Sequence, residues 1–153
     1  MSGSVRNISL GAMLAALYIV TTALNPIGYG IIQLRISAII TILPFYRKEF
    51  RVPCIAAVAI ANWFSPLGLI DVAVGIVLWT LAYYVVGQVC RNIYLKCGIT
   101  AILSGILIGW ELSFVLKAPF LFNFISISIS QAIVFVIGSV CWGRIFRRRI
   151  TQA

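Results

Sequence analysis

The chain has 153 residues, of which 62% are hydrophobic and 10% charged, with a mean hydropathy of +1.09. Soluble domains carry roughly 25% charged residues, so this composition excludes an ordinary soluble globule and leaves room for one membrane domain over 1–153. Twelve Lys and Arg against three acids give a net charge of +9; the bases form short clusters between apolar runs, which suits a membrane surface and argues against nucleic acid.

The first apolar run, Ile8–Leu24, is long enough to span and stops at the breaker cluster Asn25-Pro26-Ile27-Gly28. One Arg precedes it, but no small-residue cleavage site leads into a polar domain, so it reads as a retained helix rather than a signal peptide. Two short apolar arms, Leu34–Tyr46 and Val52–Phe64, flank the charged tip Arg47-Lys48-Glu49-Phe50-Arg51. Each arm reaches an interface by borrowing flanking residues, or else the protein is thin there. Leu69–Cys90, Ile99–Leu116 and Phe120–Trp142 follow. The expectation is an all-α bundle of six transmembrane helices, over about 8–24, 30–46, 52–68, 69–90, 98–116 and 119–142.

Lys and Arg favour the cytoplasmic side. Six spans place Arg6, the Arg47/Lys48/Arg51 tip, Arg91, Lys96 and the Arg144–Arg149 tail on one side, against Lys117 on the other. Both termini are therefore expected in the cytoplasm of a multi-pass cell-membrane protein. Cys54, Cys90, Cys97 and Cys141 form no C-x-x-C, and there is no His. Neither a metal site nor a disulfide framework is expected, and no cofactor is called for.

Asp71, Glu111 and Arg35 sit at apolar segments. A charge near the bilayer centre costs ~2.5–3.5 kcal/mol on insertion scales, so such residues face a bundle interior or a cavity. In the six-span arrangement Gln33, Arg35, Asn62, Asp71 and Glu111 gather in the outer half, and Gln131 lies mid-span. Polar groups on one side only describe a pocket open to the exterior, whereas a pore needs them on both. The carboxylates accept N–H donors or a cation, Arg35 and the amides donate to a carbonyl, and Tyr29, Trp63, Trp79 and Trp110 offer faces for a flat ring. The bland alternatives are a carboxylate–Arg35 pair that merely holds helices together, and aromatics that mark membrane interfaces. An acid/base role for Asp71 and Glu111 lacks a His, a nucleophile motif and metal-ligand spacing. On the first helix, Ala12 and Ala16, with Gly11 and Ala15 on an adjacent strip, form a small-x-x-x-small surface for packing inside the bundle or against a partner.

The stretches Ile8–Tyr18, Pro26-Ile27-Gly28-Tyr29-Gly30-Ile31-Ile32-Gln33-Leu34-Arg35-Ile36-Ser37, Leu43-Pro44-Phe45, Ala61-Asn62, Gly68-Leu69-Ile70-Asp71-Val72 with Gly75, Glu111-Leu112 with Val115-Leu116, and Pro119-Phe120 resemble the QueT family. The resemblance runs in order from about Ile8 to Gly138. It implies a non-catalytic substrate-binding S component of an energy-coupling-factor (ECF) transporter, taking up queuosine precursors of the 7-deazaguanine class. It further implies that a separate transmembrane T component and two ATPases drive release, with Gly11, Ala12, Ala15 and Ala16 as the docking surface. The substrate set would be Gln33, Arg35, Asn62, Asp71, Glu111, Gln131, Trp79 and Trp110. Where the family usually carries acids, this chain has Ala38 and Gln131. The departure favours a precursor with fewer positive donors, such as the nitrile form or queuine, or another vitamin-like heterocycle. A stand-alone secondary transporter is the remaining alternative.

Overall fold

A computed structural model describes residues 3–24 and 36–150. Helix α1 covers Gly3–Ala23. The next element, α2, covers Ile36–Tyr46 and winds as a 3₁₀ helix through Ile42 before relaxing to α over Leu43–Tyr46. A short 3₁₀ turn, Lys48–Phe50, leads to α3 over Arg51–Trp63. Helix α4 covers Leu69–Val89 with a π-helical stretch at Leu81–Val86, α5 covers Ile93–Leu116, and α6 covers Phe120–Ile150. Among the described residues there are six longer helical elements and no strand.

Four of these helices, α1, α4, α5 and α6, are long and apolar enough to cross a membrane by themselves. The α2/α3 hairpin is shorter. At about 1.5 Å per α residue, α3 spans about 20 Å of a ~30 Å hydrocarbon core. The 3₁₀ winding of α2 rises about 2.0 Å per residue, so its described residues, Ile36–Tyr46, extend about as far as α3.

The helix ends depart from the hydropathic limits for local reasons. The third span, expected over 52–68, stops at Trp63, and 64–68 form a turn that leads to Gly68 at φ 64. A backbone in that left-handed region favours glycine. Helix α5 starts at Ile93, ahead of the expected 98, because the Asn92 side chain accepts the Tyr94 amide at 2.9 Å and caps it. Helix α6 runs past the expected 142 and carries the Arg-rich stretch as helix. Hydropathy marks the part of a helix that suits lipid, while caps and turns mark where the helix stops.

The six elements close into a ring: α1 packs on α2 and α3, α3 on α4, α4 on α5, α5 on α6, and α6 returns to α2. The tightest seam joins α5 and α6. A Cβ at Gly105 would collide with Ser128 Oγ, and one at Gly109 would lie 3.3 Å from the Phe124 amide nitrogen. Gly105-Ile106-Leu107-Ile108-Gly109 is a G-x-x-x-G strip, which lets two backbones approach this closely.

The ring is apolar outside, and its acid and amide side chains face inward beside a hydrophobic core. Met13, Leu17, Val20, Ile102, Ile106, Ile129 and Ile133 are exposed, whereas Asn62, Asp71, Ser104, Glu111, Asn123 and Gln131 are buried. An aqueous protein cannot carry so extensive an apolar exterior, whereas lipid tails accept it. The chain is a multi-pass membrane protein.

Candidate functional site

A cavity of about 20 Å³ lies at the centre of the ring, and every one of the six elements lines it. Tyr18 comes from α1, Ala38 from α2, Val58 and Asn62 from α3, Asp71, Gly75, Leu78 and Trp79 from α4, Ser104 and Ile108 from α5, and Gln131 from α6.

Asp71 occupies the first turn of α4 and is 3% exposed. A carboxylate is favoured there because the amides of a helix N-terminus carry partial positive charge. Asn62 strengthens that placement: its Nδ2 donates to Asp71 Oδ1 at 3.0 Å and to the Asp71 carbonyl at 2.9 Å. Gly75, one turn further along, makes the approach possible, since a Cβ there would lie 2.6 Å from Asn62 Nδ2. The Asp71/Gly75 spacing thus puts an acceptor and an empty notch on one face of α4, and the α3 amide fits both.

The opposite wall belongs to Gln131 and Ser104. Gln131 is 5% exposed, and its Oε1 has no hydrogen-bond partner. Below the cavity the bundle is plugged by rings. Trp79 lies 5.2 Å from Tyr83 and 5.9 Å, edge-on, from Phe135. The Tyr83 hydroxyl donates to the Thr41 carbonyl at 2.9 Å. Ile42, Cys54, Ala82 and Phe135 complete this floor, all fully buried. At the far end of the bundle Arg51 sits over Tyr84 and Lys96 over Phe45, and Arg47 pairs with Glu49 at 3.4 Å. The acid and amide side chains Asp71, Asn62 and Gln131 therefore line the cavity, while the half toward Arg47 is filled by packed rings and aliphatic side chains, with Tyr83 and Thr41 hydrogen-bonded within it.

Of the residues singled out from the sequence, Asn62, Asp71, Trp79 and Gln131 meet at the cavity. Gln33, Arg35 and Tyr29 lie outside the described residues. Glu111 is fully buried in the last turns of α5, toward the Asp71 end, beyond the cavity lining. Trp110 is misplaced in the substrate set: it is 57% exposed and stacks on Phe114 at 5.8 Å on the outer surface. Adjacent residues on a helix diverge by about 100°, so Trp110 and Glu111 cannot both face inward.

The small-residue strips on α1 also separate. Gly11 is buried, with a Cβ position 2.9 Å from Pro53 Cγ on α3, and Ala15 packs against the core. Both contribute to the bundle interior, Gly11 buried and Ala15 half-buried. Ala12 and Ala16 are exposed.

Sequence reading passed over Tyr18, Ser104 and Asn123. The last two carry a legible signal: Ser104 lies two turns before Glu111 on the inward stripe of α5, and Asn123, Ile127 and Gln131 recur every four residues along α6. Ala38, where the resemblance leads one to expect an acid, is 4% exposed and lines the cavity, as does Gln131. Both departures from the family pattern fall in the cavity wall itself.

The family model described as QueT transporter matches residues 8–145. A curated relative from Lactococcus lactis subsp. cremoris (strain MG1363), named queuosine precursor transporter QueT, is 27% identical over 154 residues, covering 90% of each chain. No solved structure matches. With a family match over nearly the whole chain, from the first helix into the last, the protein belongs to the QueT transporter family.

Proposed function

We propose that the chain is the solute-binding S subunit of an ATP-driven ECF importer, and that it captures a queuosine precursor or related 7-deazaguanine from outside. The observation that carries the reading is the central cavity: all six elements contribute to it, a hydrogen-bonded Asn62–Asp71 pair stands at one wall, and an aromatic floor seals the half toward Arg47. The name of the Lactococcus relative supports the substrate class.

In this reading 1–153 is one binding domain, with both termini and the basic clusters cytoplasmic and the Asp71 end facing out. A guanine-type edge presents adjacent N–H donors. Asp71, oriented by Asn62, accepts them, and Gln131 Oε1 accepts another. A buried acceptor without a partner costs ~1–3 kcal/mol, which a ligand N–H recovers on binding. Trp79 supplies a ring against which a flat heterocycle stacks. Gln33, Arg35 and Glu111 complete the set, Arg35 as a donor to the ligand carbonyl. With Ala38 and Gln131 in place of acids, the wall discriminates only weakly in favour of a positively charged substituent.

A 20 Å³ cavity admits one water, whereas small-molecule sites usually measure ~300–1,000 Å³. Uptake therefore includes a widening of the ring. The element suited to yield is α2, because its seven-residue 3₁₀ run exceeds the three or four residues such helices usually sustain. A sealed inner half needs a second machine to deliver the solute inward. That suits a T component and two ATPases better than a stand-alone secondary transporter, with Ala12 and Ala16 as the contact on α1.

Competition binding to the detergent-solubilised protein tests the substrate step. Removing the exocyclic amine from a 7-deazaguanine is expected to weaken binding by at least about tenfold, or ~1.4 kcal/mol. Tight binding of a sugar or amino acid would overturn it. Co-purification with a T component and ATPases tests the coupling step.

A further inference from the structure

Asn123 stands out among the groups that the cavity leaves unused. It lies in the first turns of α6, is fully buried, and neither its Oδ1 nor its Nδ2 has a hydrogen-bond partner. Burying an amide without compensation costs kilocalories, so an orphan of this kind calls for a cause. Its surroundings suggest one. Gly109 against Phe124 fixes the antiparallel register of α5 and α6 and brings Glu111, also fully buried, level with Asn123. Glu111 lies about 4.5 Å along α5 beyond Ile108, and Asn123 about 12 Å along α6 beyond Gln131, both toward the Asp71 end.

We propose that Asn123 and Glu111 form a second polar subsite, beyond the ring-binding cavity, that holds a hydroxylated, amine-bearing substituent on the heterocycle. The inference rests on the 7-deazaguanine reading above and extends it from the ring to what the ring carries. The complementarity is specific. The Glu111 carboxyl offers acceptor oxygens, while the Asn123 amide both donates and accepts. A hydroxyl satisfies both sides of an amide, and an amine donates to a carboxylate. The ring edge itself is already matched by Asp71 and Gln131 at the cavity. A ligand with a bare ring leaves Asn123 as it stands, whereas one with such a substituent completes it.

The test compares two compounds, unsubstituted 7-deazaguanine and queuine, on wild-type protein and on Asn123→Leu, a near-isosteric apolar replacement. Wild-type protein is expected to prefer queuine by about tenfold, one good hydrogen-bonding contact's worth. Asn123→Leu should abolish that preference by weakening queuine alone, with 7-deazaguanine binding as the internal check on folding. The same substitution should raise the melting temperature of the ligand-free protein, because it removes an orphaned polar group from the interior. A purely structural asparagine would give the reverse: a lower melting temperature and equal losses for both compounds. Asn123→Ala, which cannot overpack, decides the matter where leucine does not fit. An unchanged queuine preference in either variant overturns the subsite. Wild-type protein that binds neither compound overturns the 7-deazaguanine reading, and the subsite with it.

Discussion

Gly75→Ala is the sharpest perturbation of the candidate site, because it adds one methyl group and changes no polar atom. The added Cβ would lie 2.6 Å from Asn62 Nδ2 and 2.9 Å from Val58 Cγ1. Both separations are shorter than any real Cβ contact, so Asn62 must withdraw from α4. Withdrawal breaks the 2.9 Å and 3.0 Å bonds through which it holds Asp71. Overpacking a core typically costs ~1–3 kcal/mol, and losing a hydrogen bond to a charged group ~1.5–3 kcal/mol. The expected destabilisation is about 2.5–6 kcal/mol, and ligand affinity should fall about 10- to 150-fold as Asp71 loses its orientation. Thermal unfolding in detergent and a 7-deazaguanine titration read the two effects. A double-mutant cycle isolates the cause. In an Asn62→Ala background the 2.6 Å clash no longer exists and only the Val58 contact remains. The double variant should therefore be at least about 1 kcal/mol more stable than the sum of the single changes predicts. Additivity within about 0.5 kcal/mol would refute the notch argument.

Asp71→Asn should weaken 7-deazaguanine binding about 10- to 150-fold with little loss of fold, since it keeps the shape and removes the charge; unchanged affinity removes Asp71 from the site. Ligand binding should quench or shift tryptophan emission through Trp79 on the cavity floor, and Trp79→Phe should abolish that signal, whereas Trp63, Trp110 and Trp142 lie away from the cavity lining. A signal that survives in Trp79→Phe places the ligand elsewhere. Ala12→Trp or Ala16→Trp should block co-purification with a T component while leaving ligand affinity intact, because both positions are exposed; assembly that persists assigns the contact to another face. Gly105→Ala should destabilise the protein by ~1–3 kcal/mol, read as a fall in melting temperature, because its Cβ meets Ser128 and the Phe124 carbonyl; a neutral outcome would mean that α5 and α6 separate without cost.

The sequence alone was enough for the lipid-facing character of the chain, because hydropathy integrates over whole segments and survives local error. It also supplied the number of helical elements and the inward placement of Asn62, Asp71, Glu111 and Gln131, since an ionised or amide group in lipid has nowhere else to go. Helix ends were less legible. The Asn92 cap and the turn before Gly68 are single-residue features that a window average smooths away. Only the tertiary structure decided which of two adjacent residues faces in, as with Trp110 and Glu111, or Gly11 and Ala12. Apolar periodicity is weak in a helix that meets lipid on one side and protein on the other, both of them apolar. Tertiary structure alone, too, put Asn62 against Asp71, because nine residues and a turn separate them and Gly75 is what leaves the room. Ring closure through α2 and α6, which sets the cavity at the centre of all six elements, depends on contacts between segments some hundred residues apart, and no local pattern encodes those.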